Sequence, residues 1–237
     1  PSASMSASPS ASPSLSPSVS PSPSPGGDCT EDQQQTTDTD NVAFGGFDSV
    51  SRVAQSFVPS KTADINGIHV KLFKSGSPTD NVQCDIFSNS GGAPNVSLAT
   101  ATNTIPGSIL TTSPEVRFFD FALGTQLAYG VTYWIVLSRT GAQNGTNYYL
   151  TRAQGDSDQY ASGVGLREKE SNWVVLGIGD DEDLYFVEWY DTTTATSPSI
   201  SPYTHPQFHH QPVPQEALPR LYLYHLQPVL PSLLREA

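Results

Sequence analysis

No charged residue, no aromatic ring and no histidine occurs before Asp28. A stretch without those groups, and with almost nothing to bury, cannot offset the entropy of ordering itself. What it does have is serine at every even-numbered position from Ser2 to Ser24, with mostly proline and alanine between. Proline fixes φ and removes backbone donors while serine keeps the chain hydrated, so residues 1–27 are expected to form a disordered, extended linker of polyproline-II character. At about 3.1 Å per residue such a tether reaches about 80 Å, which suits a domain held away from a surface or from another domain. The chain opens with proline inside this repeat. A preceding segment, with any secretion signal it carried, is therefore expected to be missing.

Cysteine is scarce, with only Cys29 and Cys84, and no Cys/His pair has metal-site spacing. Cys84 alternates in phase with Val82 and Ile86 and is expected in the core. A disulfide to Cys29 is one option in an oxidising compartment; two unpaired thiols are the other. No run of about 18 apolar residues occurs, so no membrane insertion is expected. Positive charge is also thin. The net charge is −12, and residues 28–194 carry 21 acidic against 9 basic side chains. Such a segment repels nucleic acid and anionic lipid, and suits solubility outside the cell or Ca²⁺ binding.

After Thr194 the Ser/Pro repeat restarts at Ser197-Pro198-Ser199 and then changes character. Of residues 203–237, 23 are His, Pro, Leu, Gln or Arg and one is serine. Ser and Pro codons shifted by one base read as His, Pro, Leu and Arg. Residues 195–237 are therefore read as a disordered tail, a Ser/Pro linker followed by a frameshifted segment. The competing reading is a genuine metal-binding or membrane-active segment around His205, His209 and His210, which lacks an acidic partner and is broken by proline.

Residues 28–194 are of single-domain size. Ile68-His69-Val70-Lys71-Leu72 and Val82-Gln83-Cys84-Asp85-Ile86 alternate with period two, the pattern of half-buried strands. Further strands are expected at 54–58, 98–101, 116–121, 133–137, 148–152, 164–167, 173–176 and 184–190, separated by Gly, Ser, Pro and Asn turns. No window carries a helical apolar stripe. The fold expected is all-β, a two-layer antiparallel β-sandwich of jelly-roll type. Tyr133–Leu137 is apolar on both faces and reads as a central strand covered on both sides. The phase break at Phe118-Phe119 reads as a bulge.

The blocks Ala54-Gln55-Ser56-Phe57-Val58-Pro59, Leu72-Phe73-Lys74-Ser75-Gly76-Ser77-Pro78 and Leu127-Ala128-Tyr129-Gly130-Val131-Thr132-Tyr133-Trp134 occur in that order. With Cys84-Asp85-Ile86-Phe87, Ser90–Pro94 and Leu98–Ala101, they resemble the bacterial extracellular β-sandwich modules called choice-of-anchor domains, type R in particular, over roughly residues 50–155. The resemblance implies a jelly-roll-like module of a larger surface protein, attached to further domains. It supplies no catalytic residues.

Chemistry is sparsely marked. His69 is the domain's single histidine and reads as a solvated strand residue, which leaves no serine triad. Glu168, Glu170, Glu182 and Glu188 are available to a glycoside hydrolase on a sandwich, which needs two carboxylates at a suitable separation. The acids Asp38 and Asp40, with Asp180, Asp181 and Asp183 before the last strand, are the candidate ligands of a structural Ca²⁺. They meet if first and last strands are neighbours. Aromatics crowd the C-terminal half, and Tyr148, Tyr149, Arg152, Tyr160, Trp173 and Trp189 are the candidate glycan-binding residues, rings for CH faces and a guanidinium for hydroxyls. Alternation sends one ring of each adjacent pair inward. The function expected is a non-catalytic extracellular or cell-surface module for display or adhesion, with glycans as partner. A spacer domain, a phage receptor-binding or decoration module on a virion, and a glycoside hydrolase are the alternatives.

Overall fold

The computed structural model describes residues 28–155, 160–177 and 182–194. The linker and tail expectations, and those for Asp180 and Asp181, lie outside these residues. Fifteen strands, numbered in chain order, form two sheets. The first holds β1 (Cys29–Gln35), β2 (Asp40–Phe44), β4 (Ala63–Ser75), β8 (Glu115–Asp120), β9 (Gln126–Leu127), β11 (Tyr148–Gln154), β14 (Asp183–Leu184) and β15 (Phe186–Asp191). The second holds β3 (Val50–Phe57), β5 (Asn81–Ser90), β6 (Ala93–Thr100), β7 (Ile105–Pro106), β10 (Tyr133–Arg139), β12 (Gly165–Lys169) and β13 (Asn172–Val175). Every pairing is antiparallel, which makes the domain an all-β sandwich.

β4 is the spine of the first sheet. Its thirteen residues pair with β8 along one edge and with β15 and then β11 along the other. Alternation decides what it buries: Ile68, Val70 and Leu72 enter the core, while His69 and Lys71 face outward. Facing them from the second sheet are Val82, Cys84 and Ile86 of β5 and Tyr133, Ile135 and Leu137 of β10. Phe57, Tyr160 and Phe186 close one end, with ring centroids 6.3 Å and 5.2 Å from Phe186. Truncating a ring packed in this way costs about 3–5 kcal/mol. Cys84 lies in this core and Cys29 on β1 of the other sheet, and no disulfide joins them.

β10 is central, flanked by β3 and β5. Its outward residues Trp134 and Val136 are buried with Ala54 and Leu166 in a second, smaller cluster on the outside of that sheet. Flanking side chains cover it: the Arg52 guanidinium lies 5.2 Å from the Trp173 ring and 5.8 Å from Phe87. The bulge expected at Phe118-Phe119 is absent, since β8 keeps continuous register with β4. Both phenylalanines are nevertheless buried. Phe119 enters the core, while Phe118 lies over Gly67 on the outer face, where a Cβ would sit 2.0 Å from its Cζ. A missing side chain on β4, rather than an extra residue on β8, explains the break in alternation.

Two strands lie outside the strands expected from the sequence, β1 in polar residues without apolar alternation and β2 in the short run Asp40–Phe44, where Val42 and Phe44 alternate into the core. β1 reads CTEDQQQ and is strand because it pairs with β15, so the first and last strands are neighbours. β2 pairs only with β11, and its other edge has no strand partner among the described residues. That open edge borders a cleft.

Candidate binding cleft

The cleft has a volume of about 360 Å³ and runs between the free edge of β2 and the second sheet. Asn41 of β2 and Phe47 and Asp48 of the following turn line one wall; Arg167 of β12, Leu176 and Glu182 line the other. The turn has an unusual backbone. Gly45 and Gly46 have φ of 83° and 132°, and Asp48 and Ser49 follow at 49° and 61°. A Cβ on Gly46 would stand 2.3 Å from the Asn144 nitrogen, so only glycine fits there. Three donors fix the turn: the Asn144 and Gly46 amides reach the Gly45 and Val50 carbonyls, and Arg139 Nη1 donates to the Gly45 carbonyl at 2.7 Å. Arg139, only 8% exposed in its side chain, is itself held bidentately by Asp80, at 2.8 and 2.6 Å.

This scaffold leaves Phe47 47% exposed, with its other side against the Tyr148 ring at 4.9 Å between centroids. Asp48 is paired with Lys169 at 3.1 Å. Burial, and then the nearby Asp40 carboxylate, push the Glu182 carboxyl above its ordinary range, opposed by Arg167. Asn41 accepts from Arg152 Nη1 through its Oδ1, at 2.5 Å, which leaves the amide nitrogen to donate. Arg167 donates no hydrogen bond to any described residue, and its Nε is buried without a partner. An unsatisfied buried donor costs about 1–3 kcal/mol.

The residues expected from the sequence do not converge. Tyr148 backs Phe47 at the cleft rim. Tyr149 and Tyr160 are corrected to core residues. The Tyr149 ring is fully buried and its hydroxyl donates to the Asp80 carbonyl at 2.6 Å. The Tyr160 hydroxyl donates to Gln33 Oε1 at 2.7 Å. Trp189 faces outward on the first sheet, but its indole N–H donates to His69 Nδ1 at 3.2 Å. His69 is not the solvated residue expected: it is packed between Trp189 and Phe118, and burial lowers its pKa. Trp173 lies on the opposite face of the domain, under Arg52. Arg152 is taken up by Asp38, at 2.9 Å, and by Asn41.

The acids expected to hold Ca²⁺ have other partners. Burial raises the Asp38 carboxyl, but hydrogen bonds from Arg152 and Lys71 outweigh it and hold the group below its usual range. Asp183 is buried and accepts from Gln55 Nε2 at 2.8 Å and from the Tyr160 amide at 3.0 Å. Asp40 accepts from the Thr39 hydroxyl at 3.0 Å. No group of three metal-ligating side chains forms among the described residues.

The four glutamates considered for hydrolysis are also dispersed. Glu168 is clamped by Arg52 and Ser51 and held below its ordinary range by those bonds. Glu170 sits on a tight turn at φ 51°, and Glu188 is buried under β1. Only Glu182 reaches the cleft. Sequence reasoning missed Asn41, Phe47, Asp48 and Arg167. The one available signal was Gly45-Gly46-Phe47-Asp48, an aromatic residue placed on a glycine turn outside any alternating run.

No family model matches the chain, and no curated protein matches it. The resemblance to choice-of-anchor modules therefore has no family match behind it. Among solved structures the chain is similar to the cysteine protease and lectin-like domains of Cwp84, a surface-layer-associated protein of Clostridium difficile. Identity is 12% and the TM-score 0.45, over 71% of this chain and 37% of that one. It is also similar to the clostridial cysteine protease Cwp84 after propeptide cleavage, at 12% identity and TM-score 0.43, over 70% and 40% of the two chains. The chain thus spans two fifths or less of the length of either, and a likeness at that level carries no functional argument. No helix among the described residues is long and apolar enough to cross a membrane.

Proposed function

We propose that residues 28–194 are a non-catalytic extracellular display or adhesion module that binds a glycan in the cleft beside β2. The observation that carries this reading is the lining of the cleft. A half-exposed phenylalanine plane on a rigid turn shares the cleft with an amide, a guanidinium and two carboxylates. A sugar ring offers an apolar CH face and a rim of hydroxyls, and these are the groups that match both. The cleft volume lies at the small end for ligand sites, the size of one or two sugar rings rather than a long chain. The polar segments at either end of the sequence are the parts expected of a module displayed on stalks.

The test is a glycan array followed by calorimetry on the hits with the full chain. Phe47→Ala is expected to weaken binding about tenfold or more, with an unchanged melting temperature because the ring is half exposed. An array without hits, or a Phe47→Ala protein that binds as well as the parent, removes the reading. Bound oligosaccharide recovered intact separates binding from the hydrolytic alternative, in which Glu182 and Asp48 would be the reacting pair.

A further inference from the structure

The described residues contain five arginines, and four of them are committed. Arg52 pairs with Glu168, Arg117 with Glu115, Arg139 with Asp80 and Arg152 with Asp38. Arg167 alone makes no side-chain hydrogen bond with any described residue, and it lines the cleft. We infer that this guanidinium is the receptor for an acidic group, and that the ligand is a glycan carrying an isolated carboxylate, a uronic-acid type of sugar. The inference rests on the glycan reading above and adds the substrate class to it.

Three features of the cleft agree. A guanidinium presents a planar fork of N–H groups whose best partner is a carboxylate, bound bidentately, and no carboxylate among the described residues hydrogen-bonds to this one, although Glu182 feels its charge. The Asn41 amide nitrogen adds a second donor on the opposite wall, its oxygen being held by Arg152. Asp48 is paired with Lys169, and burial and then the Asp40 charge hold the Glu182 carboxyl above its ordinary range, opposed by Arg167. Charge elsewhere sets the upper limit on the ligand. A domain with 21 acids and 9 bases repels a dense polyanion. Fields of that kind fade over about 8 Å at physiological salt, so a single carboxylate docked against Arg167 is screened from most of them.

The experiment titrates the full chain with two tetrasaccharides that differ at one carbon, one ending in a uronic acid and one in which that carboxyl is reduced to the alcohol. The acid is expected to bind about tenfold tighter or better, and Arg167→Gln is expected to erase the difference. Phe47→Ala should weaken both sugars alike. Equal affinity for acid and alcohol overturns the inference while leaving the glycan reading in place. Retention of the preference in Arg167→Gln overturns it as well. If neither sugar binds, both the inference and the reading fail. Arg167 makes no hydrogen bond whose loss would unfold the domain; should the variant still misfold, the acid-against-alcohol comparison on the parent protein decides the matter.

Discussion

Glu188 should make this domain less stable at neutral pH than in mild acid. The side chain projects inward from β15 and is 2% exposed; Oε2 has no partner, and the Gln33 amide of β1 is the donor that stabilises its charge. Burial, and then the Asp32 carboxylate across β1, push its pKa from 4.5 to about 8. The sign follows from proton counting. Between those values the unfolded chain releases the proton and the folded chain keeps it, so stability falls as pH rises through that window. The contribution is neutral below pH 4.5. At pH 7 the folded state is disfavoured by about 3 kcal/mol relative to a side chain that does not titrate. Glu188→Gln removes the titration, keeps an acceptor for the Gln33 amide, and puts an N–H group where Oε2 lacked a partner. The expected gain is about 3 kcal/mol at pH 7, or about 6–12 °C in melting temperature for a domain of this size, shrinking to near zero at pH 4.5. Calorimetric melts of parent and variant at pH 4.5, 7 and 8.5 measure it. The difference between the two proteins isolates Glu188 from Asp32, Asp183 and the other acids nearby. A difference that stays constant with pH refutes the reasoning.

Asp80→Ala leaves the Arg139 guanidinium buried without its carboxylate and is expected to cost about 3–5 kcal/mol, read as a lower urea midpoint with an unchanged m-value. The melting temperature of the full chain should be unmoved by millimolar Ca²⁺ or EDTA, because Asp38 is paired with Lys71 and Arg152 and the buried Asp183 oxygens accept hydrogen bonds from amide donors. A rise of several degrees with Ca²⁺ that EDTA reverses would instead require a site built on Asp40, Glu182 and the acids at 180 and 181.

The sandwich was legible because its strands announce themselves by period two. Ile68–Leu72 and Val82–Ile86 alternate, and the structure puts Ile68, Val70, Leu72, Val82, Cys84 and Ile86 in one core. Tyr148-Tyr149 and Trp189-Tyr190 split in and out for the same reason. β1 was hidden because its strand character is conferred by β15 and not by its own residues, and β2 because its alternation, Val42 and Phe44, spans only three positions. The phase break at Phe118-Phe119 was misread because its cause, Gly67, lies 51 positions earlier in the sequence. The cleft was hidden more deeply. Asn41, Phe47, Arg167 and Glu182 meet only after the sandwich has closed, and only Phe47, after Gly45-Gly46, has neighbours in sequence that mark it. Aromatic density pointed elsewhere, to rings that the core needed for packing.

A cleft at the edge of a sandwich must be kept open by something, since an unpaired strand edge and an apolar pocket both favour collapse. Here the Arg139–Asp80 pair does this from outside the cleft. Arg139 ties the Gly45 carbonyl to the Asn147 carbonyl, while Asp80 accepts the Gly141 amide and the Tyr149 hydroxyl. Three loops are thereby referred to one buried ion pair. The left-handed conformations at Asp48 and Ser49 persist because hydrogen bonds fix both ends of their turn. On the glycan reading proposed above, a ligand would meet a ring already oriented and a guanidinium without a hydrogen bond to any described residue, and need not pay to order either. The cost of that readiness is carried in the folded state, as strain in the turn and an unsatisfied N–H on Arg167.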